Sequence, residues 1–216
     1  MKSTSLAALA LALSFSALPA AAQGVGEPSI GLGITSLGPV LQGGFRITPN
    51  VGMRAFYAGI PTINDTIEVD DINYDVSGRL GGFALMGDFF AGARNFRVSA
   101  GVFVSNSEFD GNVTASPSNP IEVGAATFNS GETVDTHVEF ANKIAPIVTI
   151  GYVHQTRRKL FLSAEAGVIA MNGFDVTVVG TGIPQSNLDA EAENARNELN
   201  KLKVYPYVSL MAGFRF

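Results

Sequence analysis

Charged residues that alternate with apolar ones are the first feature that could carry chemistry. They occupy the polar positions of a two-residue period in segments that are typical of strands. The set holds five arginines and one glutamate: Arg46, Arg54, Arg79, Arg97, Arg215 and Glu165. If these strands close into a narrow barrel, all six side chains point into its lumen, where unpaired charge is costly. Two interpretations remain open: ion pairs that pack the interior, or a positively lined conduit for small anions.

Catalysis would need a nucleophile, a base and an orienting group, and the two histidines are the natural bases. His137 lies close in sequence to Asp135 and Glu139, whereas His154 lies beside a predicted turn. No serine stands in register with His137, so we expect no enzymatic activity. The chain contains no cysteine, which excludes disulfides, thiolate metal sites and a cysteine nucleophile.

An acidic run could gather hard cations such as Ca²⁺, which prefer carboxylate ligands. Its members are Asp65, Glu68, Asp70 and Asp71. The run lacks the spacing of a defined calcium loop, including its glycine turn. We therefore expect a solvated acidic loop that attracts divalent cations diffusely, with no dedicated metal site and no cofactor.

The N-terminus is typical of a secretory signal peptide. Lys2 precedes an apolar stretch from Leu6 to Leu18, Pro19 ends it, and small residues follow up to Ala22. Cleavage after Ala22 would divide the chain into a signal peptide, 1–22, and a single domain, 23–216. No later run of 18 apolar residues exists, which excludes a helical inner-membrane protein.

Period-two alternation predicts eight strands. They span 30–35, 41–47, 51–57, 76–90, 96–105, 144–153, 160–168 and 204–216. The fourth has poor contrast, and we place Arg79 on its inner face with Leu80, Ala84 and Met86 on its outer face. Pro146 removes one hydrogen bond from the sixth. An even number of strands is typical of bacterial single-chain membrane barrels.

The connections between these strands alternate in length. The turns at 48–50, 91–95 and 155–159 are short, the loops at 61–75, 106–140 and 175–203 are long, and only the first loop, 36–39, is unexpectedly tight. Short periplasmic turns and long extracellular loops are the rule in membrane barrels. The three long loops carry 16 of the 19 acidic residues and three of the 14 basic ones, so we expect an acidic outer rim.

A helix is predicted over 186–203, within the last long loop. Ser186 and Asp189 have the spacing of a capping box. Leu188, Ala192, Ala195, Leu199 and Leu202 form a narrow apolar stripe at helical spacing. We expect this helix to lie on the extracellular rim.

The domain resembles the small proteobacterial outer-membrane β-barrels of the OmpA-transmembrane-domain, OmpX and OmpW group. The resemblance rests on 205–210, on 70–75, and on the terminal Phe214 and Phe216, which resemble the signal read by the outer-membrane assembly machinery. Met211 departs from that signal, which favours glycine there. The resemblance implies an all-β fold: an eight-stranded antiparallel up-and-down transmembrane β-barrel with a short helix in its last extracellular loop.

We expect a monomer in the outer membrane of a Gram-negative bacterium, reached by export through the cleaved signal peptide and surrounded by lipid and lipopolysaccharide. We expect a non-catalytic protein with a packed lumen that displays acidic loops for envelope integrity, adhesion or surface interaction. Two alternatives remain open: a narrow conduit for small anions or small hydrophobic molecules, as in OmpW, and an outer-leaflet lipid-modifying enzyme. No nucleic-acid partner is expected, and the sequence names no surface ligand.

Overall fold

The computed structural model describes residues 26–69, 72–91, 95–118, 120–156 and 159–216. The predicted signal peptide, 1–22, lies outside these ranges. The elements are β1 (Pro28–Thr35), β2 (Gly38–Arg46), β3 (Val51–Val69), β4 (Ile72–Ala91), β5 (Phe96–Ser105), β6 (Glu108–Thr114), β7 (Ile121–Val123), β8 (Ala126–Phe128), β9 (Thr133–Phe140), β10 (Ile144–Gln155), β11 (Leu160–Ile169), β12 (Phe174–Thr181), α1 (Gln185–Leu199) and β13 (Tyr205–Arg215).

Eight of the strands form a closed antiparallel barrel in the order β1–β2–β3–β4–β5–β10–β11–β13. The last strand returns to the first through pairs such as Phe214 with Ile30. These eight are the strands that alternation predicts, so the predicted all-β, eight-stranded up-and-down barrel is confirmed.

Alternation along each barrel strand separates an apolar exterior from a mixed interior. On β13, Leu210 keeps 55% of its surface exposed whereas Ser209 keeps 1%. Each barrel strand exposes large apolar side chains in the same way, including Leu32, Leu41, Tyr57, Phe83, Val102, Ile150, Leu162 and Leu210. A water-soluble barrel would present mostly polar side chains on this surface.

The assignment of faces on β4 was wrong. Ala84 and Met86 are buried inside the barrel, whereas Phe83 and Leu85 are exposed outside it. The segment around Ala84 is apolar at consecutive positions, so its period-two pattern carries no information about which residues face inward. The inversion also places Arg79 on the outer face.

The described residues of the long connections form mainly strands and one helix, which corrects the prediction of irregular loops at 61–75, 106–140 and 175–203. The β3–β4 ribbon continues past the barrel, and β6, β9 and β12 add to its edge in turn. We call this sheet, with α1 and the β7–β8 hairpin, the extension. We call the end of the barrel from which the extension continues the extension end. The opposite end, which contains the 47–50 turn, is the turn end.

The extension has its own small core, which α1 helps to bury. Leu188 is buried in a cluster that includes Val134, Val176 and Val178, and Ala192, Ala195 and Leu199 pack against it. The predicted apolar stripe of α1 therefore packs into this core. The exception is Leu202, which lies beyond the helix and is exposed. No helix in the described ranges is long and apolar enough to cross a membrane.

The ends of α1 differ from their prediction. Pro184 occupies the N-cap and no side chain caps the first turn, so Ser186 and Asp189 do not form a capping box. The helix ends at Leu199, and Asn200 at its C-cap accepts a hydrogen bond at its Oδ1 from the Phe174 N–H at 3.0 Å, at the start of β12.

A β-bulge on β3 marks the junction between barrel and extension. The register passes from Ile60 opposite Leu80 to Ile63 opposite Gly78, which leaves one extra residue on β3. The extra residue exchanges the two faces of that strand. Asn64 consequently lies beside Ser77 on the outer face of the extension.

Candidate functional site

A buried network of ion pairs crosses the middle of the barrel. The Arg54 Nε donates to Asp88 Oδ1 at 3.0 Å, and its Nη1 donates to Glu165 Oε2 at 2.7 Å. The Arg54 Nη2 also pairs with Glu165 Oε1. The Arg97 Nη2 donates to Glu165 Oε2 at 2.9 Å, and its Nη1 lies 3.7 Å from Asp88 Oδ2. Two guanidiniums and two carboxylates thus neutralise one another.

Neutral polar side chains complete this network. Gln42 Oε1 accepts a hydrogen bond from Arg54 Nη1 at 3.0 Å, and Ser99 Oγ donates to Asp88 Oδ1 at 2.6 Å. The Thr149 hydroxyl donates to Glu165 Oε1. The contacts join β2, β3, β4, β5, β10 and β11, so six of the eight barrel strands share one network. Such a network favours one register of the strands, because a shifted strand would leave buried charges unpaired.

Glycine makes room for these large side chains. Gly151 on β10 lies opposite Arg97 on β5 and opposite Glu165 on β11. A Cβ atom at Gly151 would lie 3.2 Å from the Glu165 Cβ and 3.3 Å from its Cγ. The carboxylate can therefore approach the guanidiniums because the strand between them lacks a side chain.

The six predicted lumen charges do not all meet. Arg54, Arg97 and Glu165 come together in the network. Arg46 and Arg215 lie nearer the turn end, and the Arg46 guanidinium carbon sits 3.8 Å from the centre of the Phe90 ring. Both still belong to the lining of the barrel interior.

The prediction for Arg79 was wrong. Its Nη2 pairs with Glu108 Oε1 at 3.1 Å, and its Nε donates to the Asn106 carbonyl at 2.8 Å, on the outer face of the extension. Asn106 itself donates to the hydroxyl of the exposed Tyr57, which locates this group just above the apolar exterior of the barrel.

Asp88 is the network residue that the sequence prediction missed. It was overlooked because the faces of β4 were inverted. A charge count could have found it: outside the long connections, the chain has only three acidic residues, Glu27, Asp88 and Glu165. Buried guanidiniums require partners, so a second strand carboxylate was to be expected among them.

Apolar layers lie on both sides of the network. Toward the extension end, the Phe56 and Tyr207 rings stack with centroids 5.6 Å apart, within a buried cluster that also contains Phe103, Met86 and Ile147. Toward the turn end, Phe90, Val153 and Phe161 form a smaller buried cluster.

The outer face of the extension is polar and acidic. It surrounds an open depression of about 670 Å³ whose lining includes Asp75, Asp110, Asp135 and His137. The His137 Nδ1 lies 2.6 Å from Asp110 Oδ1, and its Nε2 lies 4.0 Å from Glu139 Oε2. The hydrogen bond to Asp110 raises the pKa of His137 above its usual value. Because both ring nitrogens face carboxylates, this histidine is placed to carry charge.

The remaining predicted residues have simple locations. Asp70 and Asp71 lie outside the described residues, and of Asp65 and Glu68 only the backbone, in β3, is described. Among the described residues, no three histidine or acidic side chains are arranged to hold a metal ion. Phe214 and Phe216 are exposed on the outside of the barrel at its turn end.

Comparison with known proteins identifies the fold alone. No family model and no curated protein sequence matches the chain. Similar crystal structures include those of Acinetobacter baumannii CarO2 and CarO. Each has a TM-score of 0.59 and 16% sequence identity; the matches cover 90% and 91% of this chain and 100% of theirs. The grouping with OmpA, OmpX and OmpW stays a prediction, and the chain shares its β-barrel fold with CarO.

Proposed function

We propose that this chain is a non-catalytic outer-membrane β-barrel protein with a packed lumen, whose extension presents an acidic surface outside the cell. The observation that carries the proposal is the polarity of the barrel, whose exterior is apolar and whose interior holds the charged network. Large apolar side chains stand exposed on all eight barrel strands. Water solvates such a surface poorly, whereas lipid solvates it well, and a closed barrel leaves no unpaired strand edge in the lipid.

The packed lumen is supported by its side-chain layers. An eight-stranded barrel has an interior just wide enough for side chains to fill. Here the network around Glu165 occupies the middle, and buried apolar layers lie above and below it. Ion passage would require these pairs to separate, which is strongly unfavourable in a buried site.

The orientation follows from the lengths of the connections. Short turns face the periplasm in bacterial barrels, and longer segments face outward. The extension would then stand above the outer leaflet, with its acidic face open to cations, lipopolysaccharide or another cell surface. We propose a monomer that the assembly machinery recognises through Phe214 and Phe216, with a role in adhesion, envelope integrity or surface interaction.

Conductance of the refolded mature domain, 23–216, in a planar bilayer tests the packed lumen. Before this measurement, a difference in gel mobility between unheated and heated samples establishes that the barrel has folded. We expect no stable conductance steps, because the paired network and the apolar layers leave no continuous water path. Stable, anion-selective steps that change on Arg97→Ala would reject the packed lumen and support the conduit.

A further inference from the structure

Three adjoining segments at the extension end of the barrel contain lysines but no acidic residue. They are 141–144 at the start of β10, 170–174 after the end of β11, and 200–204 before β13. The lysines are Lys143, Lys201 and Lys203. All three segments lie within the described residues. We call them the lysine rim.

Backbone hydrogen bonds join the segments of the lysine rim. The Asn142 N–H donates to the Met171 carbonyl at 3.3 Å, and the Asn172 N–H donates to the Lys203 carbonyl at 3.1 Å. The strands beside these segments, β10, β11 and β13, are neighbours in the barrel. The three lysines therefore belong to one continuous arc of the extension end.

Each lysine of the rim is exposed and is followed by an exposed apolar residue. The side chains of Lys143 and Lys201 are 65% and 68% exposed, and Lys203 is exposed as well. The apolar residues that follow them are Ile144, Leu202 and Val204. A lysine can keep its flexible stem along an apolar surface while its ammonium group reaches water or a head group. The pattern is therefore suited to the boundary between hydrocarbon and head groups.

The sign of the surface charge changes at the lysine rim. Below it lies the apolar exterior of the barrel, and above it lies the acidic extension. The acidic residues nearest to the rim along the chain are Glu139, Asp175 and Glu198. Each pairs with a base: Glu139 with Lys143 at 2.9 Å, Asp175 with Arg196 at 3.2 Å, and Glu198 with Lys201 at 2.8 Å. Exposed pairs of this kind are weak, so both lysines can exchange their carboxylate for a ligand of higher charge.

We propose that the lysine rim binds the phosphate groups of lipopolysaccharide in the outer leaflet. This inference rests on the proposed function, because only the proposed orientation brings the rim to the level of those phosphates. A phosphate monoester carries about 1.5 to 2 negative charges at neutral pH, so it attracts an ammonium group more strongly than a single carboxylate does. Three ammonium groups on one arc favour a lipid that carries more than one phosphate.

The first experiment measures the affinity of the refolded domain, 23–216, for lipid A, the phosphorylated anchor of lipopolysaccharide. Native mass spectrometry counts the bound lipid, and EDTA removes divalent cations that could bridge lipid and carboxylates. We expect lipid A with two phosphates to bind more tightly than lipid A with one. Equal affinities for the two forms would overturn the proposal.

Variants locate the binding. Lys143→Gln, Lys201→Gln and Lys203→Gln combined should weaken the binding of the form with two phosphates by about 100-fold, since each lysine near an anionic membrane surface contributes about fivefold. Lys159→Gln is the matched control, because this lysine is also exposed but lies at the turn end; it should keep the full affinity. A combined variant that binds as tightly as the unaltered domain would overturn the assignment to the lysine rim.

Chemical labelling of the unaltered domain gives an answer even if the combined variant fails to fold. The lysines of 23–216 are Lys143, Lys159, Lys201 and Lys203. We expect lipid A to protect the three lysines of the rim from acetic anhydride and to leave the reactivity of Lys159 unchanged. Equal protection of all four lysines, or protection of none, would overturn the proposal.

Flotation of the domain with phospholipid vesicles separates this inference from the proposed function. A domain that does not enter the vesicles would contradict the proposed function itself. A domain that enters them, yet shows no protection of its rim lysines by lipid A, would overturn the lysine rim alone.

Discussion

Glu165 forms buried ion pairs with both Arg54 and Arg97. It accepts hydrogen bonds from both guanidiniums and from Thr149, and its side chain is fully buried. Removing one partner from a buried pair costs more than the pair itself contributes, because the remaining charge stays in the interior without compensation.

Glu165→Ala should therefore destabilise the barrel by about 3–5 kcal/mol. Urea unfolding of the refolded domain in detergent, followed by circular dichroism, measures the loss. Glu108→Ala is the control: its partner Arg79 is 36% exposed, and an exposed pair contributes less than about 1 kcal/mol. Equal losses in the two variants would show that the network does not hold the barrel together.

His137 makes the stability of the extension depend on pH. Its pKa is raised above 6.5, first by the hydrogen bond to Asp110 and also by the nearby Glu139 and Glu108. The folded state therefore binds the proton more tightly than the unfolded state does. The resulting stabilisation is complete below pH 6.5 and is lost as the pH rises through the pKa of the folded state.

A titration of the His137 ring followed by nuclear magnetic resonance checks this. We expect a midpoint above 6.5 in the unaltered domain and a lower midpoint in Asp110→Asn, where the neutral amide stabilises the imidazolium less. Glu108→Gln, which leaves the hydrogen bond intact, should shift the midpoint less. An unchanged midpoint in Asp110→Asn would mean that the pair does not form in solution.

At the level of single residues, the regularity of apolar and polar alternation in a strand determines whether the inward-facing residues can be predicted. Arg54, Arg97 and Glu165 lie on strands whose alternation is clean, so the sequence places them inside. Asp88 and Arg79 lie on β4, where apolar residues fill both faces around Ala84. Only pairing with β3 and β5 determines the faces of that strand.

Among the elements, the barrel strands could be predicted and the strands of the extension could not. β6, β9 and β12 are only seven or eight residues long, and the segment between β6 and β9 is rich in turn-forming residues. Their apolar faces, such as Val134 and Val138 on β9, are short. They can be interpreted as one side of a buried core only when the packing of α1 is known. The many acidic residues on their opposite faces favour interpretation as solvated loops.

Leu188 is the principal anchor of α1 on this sheet. It is fully enclosed in the small core, so Leu188→Ala should weaken the docking of α1 by about 2–5 kcal/mol. Limited proteolysis should then cut within 185–199, while the gel mobility of the barrel remains that of the folded state.

Leu202→Ala is the matched control for this change, because Leu202 is exposed just beyond the helix. It should leave the proteolysis pattern unaltered. Cleavage of the barrel itself in Leu188→Ala would show that the extension and the barrel unfold as one cooperative unit.

In the whole molecule, the two ends of the barrel differ in how their strands are connected. The turn end has short connections and carries the end of the chain, whereas the extension end continues into a second sheet with its own core. The closure of the barrel and the pairing of β13 with β1 involve strands far apart in sequence. Alternation predicts how many strands the barrel has, but it contains no information about the strands that extend the sheet above the barrel.

The proposed orientation predicts which end an antibody can reach. An epitope tag inserted at Gly131, an exposed turn of the extension with open space around it, should be labelled on intact cells. The same tag inserted after Thr156, at the turn end, should be labelled only after the outer membrane is permeabilised. Labelling of both insertions on intact cells would contradict a membrane-spanning barrel, and the reverse pattern would invert its orientation.

The bulge between Ile60 and Ile63 has a consequence for how this architecture can vary. One extra residue exchanges the two faces of β3, and pairing with β4 resumes at Ile63 after the bulge. A single deletion there would cancel the exchange and direct Asn64 toward the opposite face of the sheet. Because successive side chains of a strand point to opposite faces, insertions or deletions in β3 should be tolerated only when they change its length by an even number of residues.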